Sequence, residues 1–122
     1  MPKVLIVNDV AIVNRILKKK LELEEGFFVD TVMTGKEGIT KGQENIYDII
    51  LLDYHLPDIN GDEVCLALKS NGKKPDVPIY FISAMDKGTM AEVIKKTGAQ
   101  GHVDMAVDTT ELAMTLKTLA GV

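Results

Sequence analysis

Three short runs built wholly of apolar residues, separated by longer stretches with helical periodicity, constrain this chain more than any other feature. The runs are Val4-Leu5-Ile6-Val7, Ile49-Ile50-Leu51-Leu52 and Ile79-Tyr80-Phe81-Ile82. A strand with one wet face alternates polar and apolar residues. An unbroken apolar run of strand length instead suits a strand covered on both faces, the usual state in a parallel sheet. Residues 27–33 include Asp30 and Thr31 and predict a strand nearer an edge, and residues 100–105 predict a weaker fifth strand. Between the runs, Val10, Val13, Leu17 and Leu21 form one helical stripe, with Gly26 placed to stop it. Thr34-Gly35-Lys36-Glu37 and Asp108-Thr109-Thr110-Glu111 have the pattern of capping boxes opening the second and fifth helices. Val64 with Leu68, Met90 with Ile94, and Leu112 with Leu116 mark the inner faces of helices three to five. The second helix carries Gly35, Gly38 and Gly42, with Ile39 its only large apolar residue. Each interior glycine costs about 1 kcal/mol relative to alanine, which predicts a short or mobile helix.

Five βα units imply an α/β domain with a parallel, doubly wound sheet, right-handed crossovers placing helices on both faces. The 122 residues fit one domain, spanning 1–122, and 46% hydrophobic content is ample for its core. A net charge of -4 argues against nucleic acid as a partner. Lys18-Lys19-Lys20, beside Glu22, Glu24 and Glu25, reads as a solvated helix face. Cys65 is the only cysteine; it excludes an internal disulfide and a cysteine-based zinc site, and it is expected in the core. No apolar run approaches the ~20 residues needed to cross a bilayer. Met1-Pro2-Lys3 leads straight into a strand, so no signal peptide is expected and the expected location is cytoplasmic.

Ligands of doubly wound sheets sit at the carboxyl ends of the strands, where the strand order reverses. Here the strand ends supply Asn8-Asp9, Asp53, Ser83 and, near the fifth, Met105. In a flavodoxin-like order, 2-1-3-4-5, the first and third strands are neighbours and Asp9 and Asp53 face one crevice. Two close carboxylates repel unless one is protonated or a cation lies between them. A hard divalent ion with oxygen ligands, Mg²⁺ foremost, resolves the repulsion. The competing reading is that each aspartate merely caps the helix that follows it.

The segment Asp53-Tyr54-His55-Leu56-Pro57-Asp58-Ile59-Asn60-Gly61 resembles the signature after the third strand of response-regulator receiver domains of two-component signalling. Val4-Leu5-Ile6-Val7-Asn8-Asp9 resembles their first strand and acidic pocket, Ile82-Ser83-Ala84 their strand-four hydroxyl, and Gly98-Ala99 the turn before strand five. The resemblance runs along essentially the whole chain. It implies a flavodoxin-like five-stranded sheet with five helices, Asp53 as phosphoacceptor and Ser83 as the switch hydroxyl. It also implies Mg²⁺ held by Asp53, Asp9 and the backbone carbonyl of His55, with Asn8 acting through a water. The phosphodonor would be a histidine kinase or phosphotransfer protein. Such a domain is not an enzyme, since it promotes only its own phosphorylation and dephosphorylation. The output would be protein contact at a face of helix four, strand five and helix five (residues 87–97, 100–105 and 109–119), by a monomer or weak dimer.

Two positions depart from the resemblance. The second acid of the usual pair is Asn8, and the usual strand-five lysine is Met105, which can neither pair with phosphate nor donate a hydrogen bond. One carboxylate and one ammonium are lost together, leaving the formal pocket charge unchanged, so Mg²⁺ binding is expected to survive. His102 stands at the usual aromatic switch position, either as a titrating group or as an exposed, silent histidine. Lys87 is the one nearby candidate to replace the missing ammonium, against the simpler reading of a solvated lysine. Two functions therefore stay open: a working phosphoreceiver, and a pseudo-receiver that binds partners without the phosphorylation switch. Whether the chain is whole or part of a larger regulator also stays open. Flavodoxin, Rossmann, P-loop and haloacid-dehalogenase readings each lack their required loop or motif.

Overall fold

The computed structural model describes residues 2–83, 85–104 and 118. Along the chain it forms β1 (Lys3–Val7), α1 (Ala11–Glu25), β2 (Phe28–Val32), α2 (Gly35–Glu44), β3 (Ile49–Leu52), α3 (Gly61–Asn71), β4 (Ile79–Ser83), α4 (Lys87–Thr97) and β5 (Gly101–Asp104). The strands make one parallel sheet in the order β2-β1-β3-β4-β5. The chain is thus a flavodoxin-like α/β domain, with the predicted edge strand, β2, at one edge. The expected fifth helix and Met105 lie outside the described residues. None of the helices among the described residues is long and apolar enough to cross a membrane.

The apolar runs are buried for the reason their composition suggests. Val4 and Ile6 of β1, with Ile49 and Leu51 of β3, face the buried Leu17 and Leu21 of α1. The alternate residues Leu5, Val7, Ile50 and Leu52 face Val64, Cys65 and Leu68 of α3 and Met90 of α4. Every residue of β3 is fully buried. Both faces of the central strands are therefore covered, as period-two alternation on a double-sided sheet requires. Cys65 sits in the core as expected.

Helix ends follow local chemistry. Gly26 closes α1 with φ 72, a left-handed conformation that glycine adopts without steric penalty. Thr34 caps α2 as predicted, its Oγ1 accepting the Glu37 N–H at 3.1 Å. Val10 departs from expectation: it is the N-cap of α1 and 45% exposed, so the buried stripe of that helix begins later.

α2 is short, as expected: its ten residues, Gly35 to Glu44, make it the shortest of α1 to α4, and all three of its glycines are buried. A Cβ at Gly35 would lie 2.5 Å from Ile59, one at Gly38 2.9 Å from Val7, and one at Gly42 2.4 Å from Leu68. The glycines form the face by which α2 lies close against β1 and α3. Dense packing with neighbours distant in sequence offsets their entropic penalty.

Candidate functional site

β1 and β3 are adjacent and in register, with Val7 opposite Leu52. The ladder continues one residue past β3, the Asp53 N–H donating to the Val7 carbonyl at 2.9 Å. On the other side the Asn8 N–H donates to Val32 O at 3.1 Å. These bonds set the two acidic strand ends side by side. A cleft of ≈ 570 Å³ opens above them, lined by Asn8, Asp9, Asp53, His55 and Ser83 among others. Five of the positions singled out in the sequence are thus brought together. Asp9 is exposed and Asp53 half-buried, while Asn8 and Ser83 are buried.

Burial is the largest influence on the Asp53 carboxyl and holds it above the ordinary carboxylate range. The backbone N–H of His55 opposes this, the negative charge of Asp9 adds to it, and the Tyr54 N–H and the His55 ring oppose it more weakly. A carboxylate raised by desolvation and a neighbouring acid is one that a cation would relieve. Among the described residues no three His, Cys, Asp or Glu side chains cluster closely enough to cage a metal. Asp9 and Asp53, two carboxylates lining one cleft, are oxygen donors of the kind a hard divalent ion such as Mg²⁺ takes.

Ser83 ends β4 with its Oγ accepting the Met85 N–H at 3.2 Å; a hydroxyl that accepts one bond keeps a proton with which to donate another. His102 is half-buried, and its Nε2 lies 2.9 Å from the Ser83 carbonyl oxygen. This corrects the alternative of an exposed histidine: β4 pairs with β5 so that Phe81 faces His102, and the ring reaches along β4 to Ser83. Lys87 is the first residue of α4, exposed and not among the residues lining the cleft.

Several contributors escaped the sequence reading. Met85 and Asp86 also line the cleft, Asp86 capping α4 by accepting the Thr89 N–H at 3.0 Å. The spacing of Asp86 and Thr89 before an apolar-periodic segment is the signal that could have revealed that cap. Asp58, in the loop after Asp53, accepts the Gly35 N–H at 2.8 Å and the Lys36 N–H at 2.9 Å. It clamps the site loop to the positive end of α2, a contact no local motif could announce.

A five-stranded parallel sheet in the order 2-1-3-4-5, with two carboxylates meeting above its central strands, defines a flavodoxin-like domain with an acidic cleft. The pattern of the response regulator receiver domain family matches residues 4–117, and the chain belongs to that family. It is 32% identical over 121 residues to the phosphate regulon transcriptional regulatory protein PhoB of Rhizobium meliloti, covering 98% of this chain and 52% of that protein. It is 34% identical over 119 residues to the response regulator ArlR of Staphylococcus saprophyticus, with coverage of 98% and 52%. The chain thus spans about half the length of these curated relatives. Among solved structures, the response regulator TrrA of Thermotoga maritima in complex with Mg(2+)-BeF superposes with a TM-score of 0.83 at 29% identity, covering 98% of this chain and 99% of that one. The Vibrio cholerae chemotaxis protein CheY4 does so with a TM-score of 0.89 at 25% identity, covering 98% of each chain.

Proposed function

We propose that this receiver domain accepts a phosphoryl group on Asp53 from the phosphohistidine of a histidine kinase or phosphotransfer protein, and signals by altered protein contacts. The observation that carries this reading is the meeting of Asp53, Asp9 and the Ser83 hydroxyl in one cleft, where burial and Asp9 both disfavour the charge on Asp53. In the transfer an Asp53 carboxylate oxygen attacks phosphorus, the N–P bond of the donor breaks, and an acyl phosphate forms while the donor imidazole leaves. The backbone N–H groups of His55 and Tyr54 orient the carboxylate, and Ser83 Oγ–H donates to a phosphoryl oxygen. Positioning and electrostatics carry most of such a reaction. Mg²⁺, which TrrA carries with BeF, would be held here by Asp53, Asp9 and the His55 carbonyl, with Asn8 on a coordinated water. It supplies charge neutralisation for the phosphoryl oxygens. Signalling would follow from movement of the loop after β4 and of the face built on α4 and β5.

A second reading, a pseudo-receiver that binds partners without phosphorylation, is favoured by one specific observation. Among the described residues no lysine or arginine lines the cleft, and the usual strand-five lysine is Met105. Intact-protein mass spectrometry after incubation with Mg²⁺ and acetyl phosphate separates the two. A single phosphoryl adduct, absent in Asp53→Ala, is the expected result. Folded protein that gains no adduct from acetyl phosphate or from a cognate kinase would establish the pseudo-receiver.

A further inference from the structure

One buried side chain beside the site has no role in the chemistry above. Asn14 is only 5% exposed and lies on the inner face of α1, three and seven residues before the buried Leu17 and Leu21. Its Nδ2 donates to the Asn8 carbonyl at 2.7 Å, and its own backbone N–H donates to the Val10 carbonyl at 3.2 Å. Asn14 therefore grips the carbonyls immediately before and after Asp9. The Val10 side chain makes no capping hydrogen bond, so Asn14 is the side chain that ties the β1–α1 turn to the helix, by donating to a carbonyl before Asp9. The arrangement carries a penalty: Asn14 Oδ1 is the one buried side-chain oxygen or nitrogen among the described residues without a hydrogen-bond partner. The unpaired amide oxygen is unfavourable in this apolar face, so what Asn14 offers in return is the bond to the Asn8 carbonyl.

The geometry points to Asn14 as a positioning residue of the cation site, kept for the orientation it gives the Asn8–Asp9 peptide and hence the Asp9 carboxylate. Without the Nδ2–H bond the peptide can rotate and swing Asp9 away from Asp53. The inference rests on reading the cleft as a Mg²⁺ site. Groups that orient metal ligands from behind typically change metal affinity by roughly 10–100-fold when removed.

The test is calorimetric titration of the metal-free protein with MgCl₂, alongside thermal melts without metal. Asn14→Leu removes both the tether and the orphan oxygen. It should bind Mg²⁺ roughly tenfold more weakly while melting near the wild-type temperature, since the loss of the orphan oxygen offsets the Asn8 carbonyl left without its donor. Asn14→Ala covers the case in which leucine does not fit, with the same weakening expected. Leu17→Ala, which loosens the same helix without touching the tether, should lower the melting temperature and leave Mg²⁺ affinity in place. Wild-type affinity in Asn14→Ala overturns the inference whatever its stability, as does an equal loss of affinity in Leu17→Ala. Wild-type protein that binds no Mg²⁺ fails the underlying reading of the cleft instead.

Discussion

Replacing Gly61 with alanine puts the packing of the site loop to a direct test. Gly61 opens α3, and its N–H donates to the Tyr54 carbonyl at 2.7 Å. A Cβ there would stand 2.4 Å from the Asp53 carbonyl oxygen and 2.9 Å from Tyr54 Cα. Carbon and carbonyl oxygen come no closer than roughly 3.3 Å even in favourable contacts, so about 0.9 Å of movement is forced. Both opposing groups are backbone, and moving them displaces the Asp53 carboxylate. Overpacking of this kind costs about 1–3 kcal/mol, against a gain of at most about 1 kcal/mol from the helix preference of alanine. The net expectation is a loss of about 1–2 kcal/mol, seen as a lower guanidinium midpoint with unchanged slope. A displacement approaching 1 Å should also slow acetyl-phosphate labelling of Asp53 by roughly a hundredfold. Gly88→Ala is the matched control, because its Cβ would meet only Asp86 Oδ1, at an ordinary 3.4 Å. That variant should gain about 0.5–1 kcal/mol. Stability of Gly61→Ala at or above wild type would refute the reasoning.

Asp58 and Asp53 should show opposite pH behaviour. The N–H of Lys36, with that of Gly35, holds the Asp58 carboxyl down to about 2 from 3.8. The folded form thus favours ionised Asp58, and its stabilising contribution is present above pH 3.8 and lost as the pH falls through about 2. In melts across that window the advantage of wild type over Asp58→Asn should shrink to nothing; a constant difference would reject the assignment. Burial, with Asp9 adding to it, raises the Asp53 carboxyl instead, so the penalty on folding sets in as the pH rises above 3.8 and is complete once the pH exceeds the raised value. Asp53→Asn should therefore melt higher than metal-free wild type at neutral pH, with the gap closing in acid. A neutral-pH variant no more stable than wild type would contradict this.

The sheet was legible in the sequence because a strand buried on both faces must be apolar at every position, as β3 is. Asp9, Asp53 and Ser83 were legible because a doubly wound topology gathers its strand ends, so their convergence needs no knowledge of side-chain packing. The packing role of the α2 glycines was hidden for the complementary reason. Gly35, Gly38 and Gly42 signal entropy loss locally, whereas the groups that reward their smallness (Ile59, Val7 and Leu68) come from three other segments. Val10 fitted the helical stripe by spacing, but the chain turns there and exposes it. Asn14 had a readable trace, an amide at helical spacing from Leu17 and Leu21, although only the folded β1–α1 turn shows which carbonyl it holds. His102 could not be placed from sequence, since its bond to Ser83 depends on the β4–β5 register.

The clamp formed by Asp58 also bears on how the chain tolerates insertion. The segment from Asp53 to Gly61 is closed at its base by the Gly61–Tyr54 hydrogen bond and pinned midway to the start of α2. Its length is therefore fixed by two closures at once, and one added residue must break one of them. Pro75 and Asp76, exposed in the connection between α3 and β4, lie in a segment of the kind that accepts added sequence. Length variation among natural variants of this domain should accordingly fall in the α3–β4 connection and spare the segment that follows Asp53.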